Sequence, residues 1–254
     1  MEPVLAAEGI RHQYTGRTGE LLALDGVGLD VAAGEFVAIV GPSGCGKSTL
    51  LRILGGLLAP SQGRVLLDGE VLAEPKRQVG FVFQNVNLMP WRTVLQNVLL
   101  PLEIAATPRG EAESRARKML GLVGLAGFEG AYPHQLSGGM AQRVAIGRAL
   151  VSQPEVLLLD EPFGALDALS REQMNLELLR IWRAQKVTAV MVTHDLQEAI
   201  FVADRVLVMS SRPGRISAEV MIDLPRPRTL DVVYTEFFGA LSRRVREAIG
   251  RGQN

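Results

Sequence analysis

The stretch GPSGCGKST, Gly41 to Thr49, constrains the fold more than any other part of the sequence. It follows the apolar run FVAIV and precedes a segment with a leucine-lined helical face, which predicts strand, loop and helix in that order. Glycines let successive backbone N–H groups turn toward one anion, the helix start adds partial positive charge, and Lys47 can reach terminal phosphates. The alternative is a glycine-rich turn whose lysine is merely solvated, but such a turn does not require a strand before it and a helix after it. We therefore predict a nucleotide phosphate site, with Ser48 as a magnesium ligand.

Composition narrows the class of protein. Lysine plus arginine and aspartate plus glutamate number 27 each among 254 residues, so the chain lacks the net basic charge of a nucleic-acid binder. The single cysteine, Cys45, excludes an intramolecular disulfide framework and fits a reducing, cytosolic compartment. No apolar run approaches the roughly 18 residues of a membrane span, and the amino terminus lacks a signal-peptide pattern. If the protein acts at a membrane, we expect a separate component to anchor it there.

The character of the sequence changes along the chain and predicts an α/β protein. Residues 1–80 have short apolar runs between glycine turns and predict mostly strands, whereas residues 93–150 predict an inserted helical subdomain. Strands are expected to return at VLLLD, VTAVMVT and RVLVM, whose continuous apolar runs are typical of buried parallel strands. The end predicts a hairpin, an exposed proline-rich turn and a last helix around residues 237–249. The leucines expected on the helix after the phosphate loop are Leu50, Leu51, Leu54, Leu57 and Leu58.

Two adjacent carboxylates end the predicted strand VLLLDEP. Successive strand side chains point in different directions, so Asp160 can hold magnesium while Glu161 faces the γ-phosphate and polarises the attacking water. Gln84 after VGFVF could sense magnesium and water, and His194 after VMVT could contact the γ-phosphate. Solvated acids at a strand end, and an ordinary hydrogen-bonded glutamine or histidine, are the alternatives; the phosphate loop in the same chain favours the catalytic interpretation.

Tyr14 and Cys45 are further candidates near the nucleotide. Tyr14 could stack on adenine, although an aromatic near a first strand usually serves packing. Cys45 lies near a helix start and beside Lys47, two features that could lower its thiol pKa. We therefore expect a reactive thiol that bound nucleotide protects.

A second candidate phosphate cradle lies in LSGGMAQR, about ninety residues after the first. Ser137, Gly138 and Gly139 occupy a predicted helix start, whose unpaired N–H groups suit a γ-phosphate. One small ATPase core has room for one nucleotide at its strand ends. We therefore expect this cradle to serve the nucleotide of a second copy, which predicts a two-fold pair.

Together these motifs resemble those of the ATPase subunits of ABC transporters, over roughly residues 4–224. GPSGCGKST resembles the Walker A loop, Gln84 the Q-loop residue, LSGGMAQR the signature, VLLLDEP the Walker B strand, GALD the D-loop and His194 the switch histidine. The resemblance implies an α/β P-loop NTPase (RecA-like) core with an N-terminal antiparallel β subdomain and an inserted α-helical subdomain. It implies one domain, with the core at about 1–88 and 151–254 and the helical subdomain at about 89–150.

The same resemblance assigns the site residues. The catalytic group comprises Glu161, His194, Gln84 and Lys47. The nucleotide-binding residues are Tyr14, Gly41, Ser43, Gly44, Cys45, Gly46, Lys47, Ser48 and Thr49. The ligands of Mg²⁺ are Ser48, Gln84 and Asp160; the partner's ATP meets Ser137, Gly138 and Gly139, and Asp167 belongs to the D-loop. Departures are Met140 where glutamine is frequent, Gly164 where serine is usual, and Gly147 within the helix, where glycine costs about 1 kcal/mol relative to alanine.

Within the family, QNVNLMPWRTVLQNVLLPLE and RVLVMSSRPGRI resemble subunits of importers for nitrate, alkyl sulfonates and taurine. The implied partners are a second copy, integral membrane permease subunits and a periplasmic or extracellular solute-binding protein, with no nucleic acid. The implied place is the cytoplasmic face of the cell membrane. Leu88, Met89 and Trp91 are candidates for a groove that receives a permease helix, or else they pack inside the helical subdomain.

Three alternatives stay open on sequence grounds. The chain could belong to an exporter, or it could be a soluble ABC ATPase acting on DNA, ribosomes or iron–sulfur assembly. The soluble types often have coiled-coil insertions, tandem cassettes or basic arms, which this sequence lacks. A small-molecule kinase would use the same phosphate loop, but it needs an acceptor pocket and has no use for LSGG.

Overall fold

The computed structural model describes residues 3–16 and 19–252, and its strands form two sheets. The strands are β1 (Leu5–Gly16), β2 (Gly19–Val31), β3 (Phe36–Val40), β4 (Gln62–Leu67), β5 (Glu70–Val71), β6 (Val79–Val82), β7 (Val156–Asp160), β8 (Thr188–Val192), β9 (Arg205–Met209) and β10 (Ile216–Met221). The helices are α1 (Lys47–Leu54), α2 (Val94–Ile104), α3 (Arg109–Leu122), α4 (Gly138–Leu150), α5 (Ala168–Gln185), α6 (Leu196–Val202) and α7 (Glu236–Arg251). Short 3-10 segments cover Pro133–Gln135 and Leu230–Tyr234.

The larger sheet has the order β10-β9-β3-β8-β7-β6 and is parallel except at β10. Every residue of β3, β7 and β8 is buried, as expected for strands covered by other elements on both faces. The parallel arrangement brings the carboxyl ends of β3, β8, β7 and β6 to one edge in that order. The phosphate loop, His194, Asp160 and Gln84 therefore follow four neighbouring strands, at the edge where α/β sheets bind ligands.

The smaller sheet is antiparallel, with the order β2-β1-β4-β5, and it packs over α1. Leu5 and Leu24 of this sheet, Leu50 of α1 and Leu158 of β7 belong to one buried cluster. The helix that follows the phosphate loop is thus held between the two sheets. Burial of its leucine side chains fixes the direction of the helix start.

Helices α2, α3 and α4 pack against one another, and their apolar residues join the cluster on the other face of the larger sheet. Gly147 lies where α4 approaches α3, since a Cβ there would be 3.4 Å from Cγ of Met119 and 3.6 Å from Val123. These are ordinary van der Waals distances, so the packing of α4 against α3 does not require the glycine that weakens α4 by propensity. Asn97, fully buried in α2, donates to the carbonyls of Met89, Arg92 and Thr93 and fixes the segment before the helix.

The predicted fold class, the buried parallel strands and the terminal hairpin are confirmed, while two local predictions are wrong. The helix after the phosphate loop ends at Leu54, because Gly55 and Gly56 terminate it; Leu57 is 44% exposed and, like Leu58, lies beyond the helix. The proline-rich turn is not exposed throughout, because the Arg228 guanidinium is buried against carbonyl groups at the end of α6. No helix in the described part of the chain is both long enough and apolar enough to cross a membrane.

Candidate nucleotide-binding and catalytic site

The phosphate loop curls around its own lysine. Nζ of Lys47 donates to the carbonyl oxygens of Gly41 at 2.9 Å and Pro42 at 3.0 Å. Gly46, which precedes α1, has a φ of +106°, and a Cβ there would be 2.8 Å from Cδ2 of Leu24. Only glycine fits this conformation and this space, so the residue that starts the helix also sets the curvature of the loop. The loop thus joins a helix start to an ammonium group held beside it, a combination that suits a polyphosphate.

A cavity of about 260 Å³ opens over this loop. It is lined by Tyr14, Leu21, Ala23, Ser43, Gly44, Gly46, Lys47, Ser48, Thr49, Glu161 and Arg212. The phenol of Tyr14 is 3.1 Å from Oγ1 of Thr49, so the aromatic ring stands at the rim beside the helix start. Tyr14 is exposed, which leaves the ring free to face a base. The structure therefore brings most of the predicted nucleotide residues together around one space.

Ser48 and Asp160 meet at the base of the cavity. Oγ of Ser48 donates to Oδ1 of Asp160 at 2.8 Å, across 112 residues of chain. Burial raises the pKa of Asp160, and the hydrogen bond from Ser48 acts in the opposite direction. A hydroxyl and a carboxylate beside a phosphate site are hard oxygen ligands of the kind that Mg²⁺ prefers. The residues present therefore fit a magnesium ion that is shared with a nucleotide.

Glu161 lines the cavity and forms a pair with His194, which is not among the described lining residues. Nδ1 of His194 lies 2.9 Å from Oε2 of Glu161. Glu161 has a φ of +42°, an uncommon conformation for a residue other than glycine, and its N–H donates to the Val192 carbonyl at 2.9 Å. The glutamate side chain lines the cavity and the imidazole is more exposed than the carboxylate. The arrangement can aim a carboxylate oxygen at the phosphate end of the cavity.

The turn that carries His194 is fixed by its neighbours. Asp195 caps α6 by accepting from the N–H groups of Gln197 and Glu198, and Arg171 of α5 contacts its carboxylate at 3.0 Å. Thr193 donates through its hydroxyl to the buried Glu198, whose pKa is raised to about 7 by burial. These contacts restrain the backbone on both sides of the histidine.

Gln84 and the predicted signature lie outside this cavity. Gln84 is exposed, two residues after the end of β6, and it is not among the described residues that line the space. Ser137 caps α4 by accepting from the Met140 N–H at 3.3 Å. Ser137, Gly138, Gly139 and Asp167 share a different cavity of about 750 Å³. Within one chain, the second cradle therefore does not face the first.

The predicted signature and D-loop are neighbours. A Cβ on Gly138 would lie 3.3 Å from Leu166, next to Asp167, which caps α5. Hydrogen bonds from Ser170 lower the pKa of Asp167. Two helix starts, α4 and α5, thus open onto one surface depression.

Arg212 is a cavity residue that the sequence interpretation missed. Its Nε and a terminal nitrogen donate to the Gly44 carbonyl at 3.1 and 2.8 Å, from a position 168 residues along the chain. The segment SSRPGRI contributed to the family resemblance, but nothing local to it indicates contact with the phosphate loop. The arginine places a second positive charge beside Lys47.

The prediction of a reactive Cys45 is wrong. Its side chain is 1% exposed and packs in the cluster beneath the loop. Burial raises the pKa of this thiol, and the opposing influence of Lys47 is smaller. Proximity to the lysine and the helix start does not outweigh desolvation.

Maleimide labelling of the native protein should therefore be slow and insensitive to ATP. The reagent needs an exposed thiolate, and the folded chain offers a buried thiol. Mass spectrometry should show fast labelling only after denaturation with guanidinium. Rapid labelling of the native chain that saturating ATP prevents would contradict the burial of Cys45.

Leu88, Met89 and Trp91 have three different environments. Met89 lines a groove of about 430 Å³ on the helical side, whereas Leu88 packs against the core. Trp91 is 72% exposed and is not among the described residues that line the groove. The groove interpretation thus applies to Met89 and the packing interpretation to Leu88, whereas neither applies to Trp91.

Comparison with known proteins finds relatives over most of the chain. Residues 24–164 match the family model described as ABC transporter. An uncharacterized ABC transporter ATP-binding protein of Methanocaldococcus jannaschii is 50% identical, covering 90% of this chain and 85% of its own. The aliphatic sulfonates import ATP-binding protein SsuB of Bacillus cereus is 40% identical, covering 98% of this chain and 96% of its own. A taurine import ATP-binding protein of Rhizobium johnstonii is 49% identical, covering 80% of this chain and 78% of its own. A nitrate import ATP-binding protein of Synechocystis is 47% identical, covering 84% of this chain and 80% of its own.

A solved structure matches the fold. The ATP-binding cassette MJ0796, in a dimeric post-hydrolysis state bound to ADP and Pi, aligns with a TM-score of 0.76 and 35% sequence identity. The alignment covers 87% of this chain and 100% of that one. That cassette is therefore similar to this chain both in fold and in sequence.

Proposed function

Because this chain belongs to the ABC transporter family as an ATP-binding subunit that hydrolyses ATP to drive transport, we propose that two copies enclose two ATP molecules and power an importer. The observation that carries the proposal is the separation of the two phosphate cradles. The loop cavity holds Lys47, and the depression at Ser137 is lined by other residues. A two-fold pair brings each loop to the partner's signature and completes both sites.

Each residue of the loop cavity has a distinct role in this proposal. The N–H groups of residues 43–49 and Lys47 hold the phosphates, while Tyr14 stacks on the adenine. Ser48 and Asp160, together with Gln84 from the segment after β6, would hold Mg²⁺, which would neutralise charge on the phosphate oxygens. Asp160 accepts from Ser48 without a lysine or arginine in hydrogen-bond contact with its carboxylate among the described residues. Its charge is thus available to a cation.

Hydrolysis requires a water molecule aligned with the γ-phosphate. Glu161 accepts a proton from that water or orients it, and His194, 2.9 Å from the carboxylate, holds Glu161 in place and contacts the γ-phosphate. The strained backbone at Glu161 aims the side chain into the cavity. Closure of the pair adds the N–H groups of Ser137, Gly138 and Gly139, and Asp167 lies at the contact between the copies.

The proposed cargo is an alkyl sulfonate, taurine or nitrate. The support is the 40% to 49% identity to relatives named as import subunits for these three solutes. Selectivity then belongs to integral membrane permease subunits and to a periplasmic or extracellular solute-binding protein. The chain would act at the cytoplasmic face of the membrane. In this proposal it is one ABC ATPase domain, with the helical subdomain at about 89–150.

The groove beside the helical subdomain is the proposed permease contact. It is lined by Arg77, Val79, Gly80, Phe81, Phe83, Asn87, Met89, Leu100, Pro101, Ile104, Arg148, Ala149 and Ser152. Ile104 is 75% exposed at its edge, and such an apolar surface suits an amphipathic helix from a membrane subunit. Gln84 follows Phe83, which lines this groove, and comes two residues after the end of β6, so movement of the groove would reach the site through this segment.

We expect Ile104→Glu to uncouple transport from ATP hydrolysis. In a host strain that lacks this gene, the wild-type chain should restore growth on an alkyl sulfonate or taurine as sulfur source, or on nitrate as nitrogen source. The variant should fail to restore it, because a carboxylate at the groove edge disfavours an apolar helix. Purified Ile104→Glu should keep its own ATPase activity.

Val71→Glu is the matched control, since Val71 is also an exposed apolar residue but lies in β5, away from the groove. It should support growth. Full growth with Ile104→Glu would place the permease elsewhere, and unchanged growth of the deletion strain on all three solutes would exclude this cargo class.

Arg212→Ala should weaken ATP binding about 3- to 10-fold, with little change in kcat. The arginine supplies positive charge and holds the Gly44 carbonyl, but it is solvent-exposed, so its contribution is screened. The measurement is the KM for ATP beside that of Arg215→Ala. Arg215 belongs to the same loop, pairs with Asp25 and is not among the described residues of the cavity. Equal KM values for the two variants would remove Arg212 from the site.

A further inference from the structure

A second large cavity lies along the second half of α5, beside the segment that follows β10. Its volume is about 590 Å³, within the range of small-molecule sites. Asp167 caps the start of α5, whereas the cavity runs along the second half of this helix, from Leu176 to Lys186. The cavity is lined by Leu176, Leu179, Arg180, Trp182, Arg183, Ala184, Lys186, Arg226, Pro227 and Arg228. It shares no residue with the nucleotide cavity.

The charge of this cavity is one-sided. Five lining residues are basic and none is acidic. Glu177 pairs with Arg180, and Asp204 contacts both Arg226 and Arg228, which leaves two of the five basic side chains, Arg183 and Lys186, without a carboxylate at close range. Among the described residues, neither Arg183 nor Lys186 has an ion pair or a side-chain hydrogen bond, and both are exposed at the mouth. The mouth can therefore receive an anion without breaking an existing contact.

The buried wall of the cavity contains Arg228, whose terminal nitrogens donate to the carbonyl oxygens of Ile200, Phe201, Ala203 and Leu224. The Arg228 side chain is 1% exposed, and burial together with neighbouring Arg226 lowers its pKa to about 10. Nε of Arg228 and Nε1 of Trp182 are buried and have no hydrogen-bond partner among the described residues. Neither atom is open to solvent, so they are not first contacts for a ligand. Because Arg228 is already compensated by these carbonyls and by Asp204, the cations open to an anion are Arg183 and Lys186.

The remaining surface is apolar. Leu176 and Leu179 line the space, and the Trp182 ring is covered on one face by the Arg226 guanidinium at 4.4 Å from its centre. A fully hydrated inorganic anion would leave these side chains without a partner. An organic anion with an apolar body can pair its charge with the cations and pack its apolar part against the leucine side chains.

We propose that this cavity, defined by Trp182, Arg183, Lys186 and Arg226, binds a small amphipathic organic anion, with its acid group at Arg183 and Lys186 and its chain against Leu176 and Leu179. The site is separate from ATP binding. It also shares no lining residue with the depression at Ser137, although Glu177 of that depression pairs with Arg180 of this cavity.

The test uses 1-octanesulfonate as the probe and Trp182 as the reporter. The chain has two tryptophans, so Trp91→Phe leaves Trp182 as the only one. Titration below the micelle concentration should shift Trp182 emission and give a saturable heat in calorimetry. Pentanesulfonate should bind more weakly, by about fourfold for each methylene removed, and added salt should weaken both.

The double variant Arg183→Gln/Lys186→Gln should bind octanesulfonate about tenfold more weakly, while the surface variant Arg246→Gln should bind it as the parent does. Both changed residues are exposed, so the variant should keep its melting temperature. The proposal is overturned if the parent shows no saturable binding, if octylamine binds as tightly as octanesulfonate, or if the double variant binds normally. Displacement of octanesulfonate by ATP would assign the binding to the nucleotide cavity and would also overturn it.

Discussion

Glu161→Gln is expected to bind ATP, to hydrolyse it about 10²- to 10⁴-fold more slowly and to accumulate as a dimer. The amide keeps the size of the side chain but cannot accept a proton, and His194 loses the charged partner that it meets at 2.9 Å. In the proposed cycle, closure of the pair needs the γ-phosphate and reopening needs its cleavage. Phosphate release measures the first effect, and light scattering during gel filtration with ATP measures the second.

The matched control for this variant is Glu74→Gln, which removes an exposed carboxylate outside the cavity. It should have wild-type turnover and should not accumulate as a dimer. Wild-type turnover of Glu161→Gln would remove this residue from catalysis. A variant that is slow but stays monomeric at high ATP and protein concentrations would leave the catalytic role intact and refute the two-fold pair.

Ser137→Arg should keep ATP binding within about twofold and abolish turnover. The arginine occupies the space at the start of α4 where the partner's γ-phosphate is proposed to lie, but it is absent from the loop cavity that binds ATP in its own chain. A fluorescent ATP analogue measures binding, and phosphate release measures turnover. Ser114→Arg, at an exposed serine of α3, serves as the control and should hydrolyse ATP normally.

A mixing experiment separates a shared site from damage within one chain. Lys47→Ala removes the ammonium group of the loop, so it should be inactive alone, as should Ser137→Arg. A mixed pair has one complete site, made from the loop of one chain and the signature of the other. Equal mixing should restore up to about a quarter of wild-type turnover, because half of random pairs are mixed and each has one working site. No recovery despite formation of mixed dimers would refute the division of the site between chains.

Much of the site was predictable because its chemistry is concentrated in short motifs. The flanks of GPSGCGKST predicted strand, loop and helix, and the structure has β3 and α1 on either side. Apolar runs predicted parallel strands, so the residues that follow them were expected at one sheet edge. That inference brings Ser48 to Asp160 and His194 to Glu161, contacts that the structure contains.

Predictions failed where a property depends on distant neighbours. Cys45 has a helix start and a lysine beside it in the sequence, but its pKa is raised because the smaller sheet and α1 bury it. Arg212 reaches Gly44 only because β9 lies next to β3 in the larger sheet. The helix after the loop ends at Leu54, where two consecutive glycines outweigh the continuing leucine pattern.

The sequence alone determined three properties of this protein: its chemical groups, the alternation of strands and helices that presents them, and its family. These depend on residue type and on periodicity over a few neighbours, which the linear order contains. Tertiary structure alone decided which groups are buried, which cradles are kept apart within one chain, and that basic residues from α5 and from the segment after β10 enclose a common cavity. Burial, charge compensation and distance are properties of space, and the chain acquires them only when residues far apart in sequence pack together.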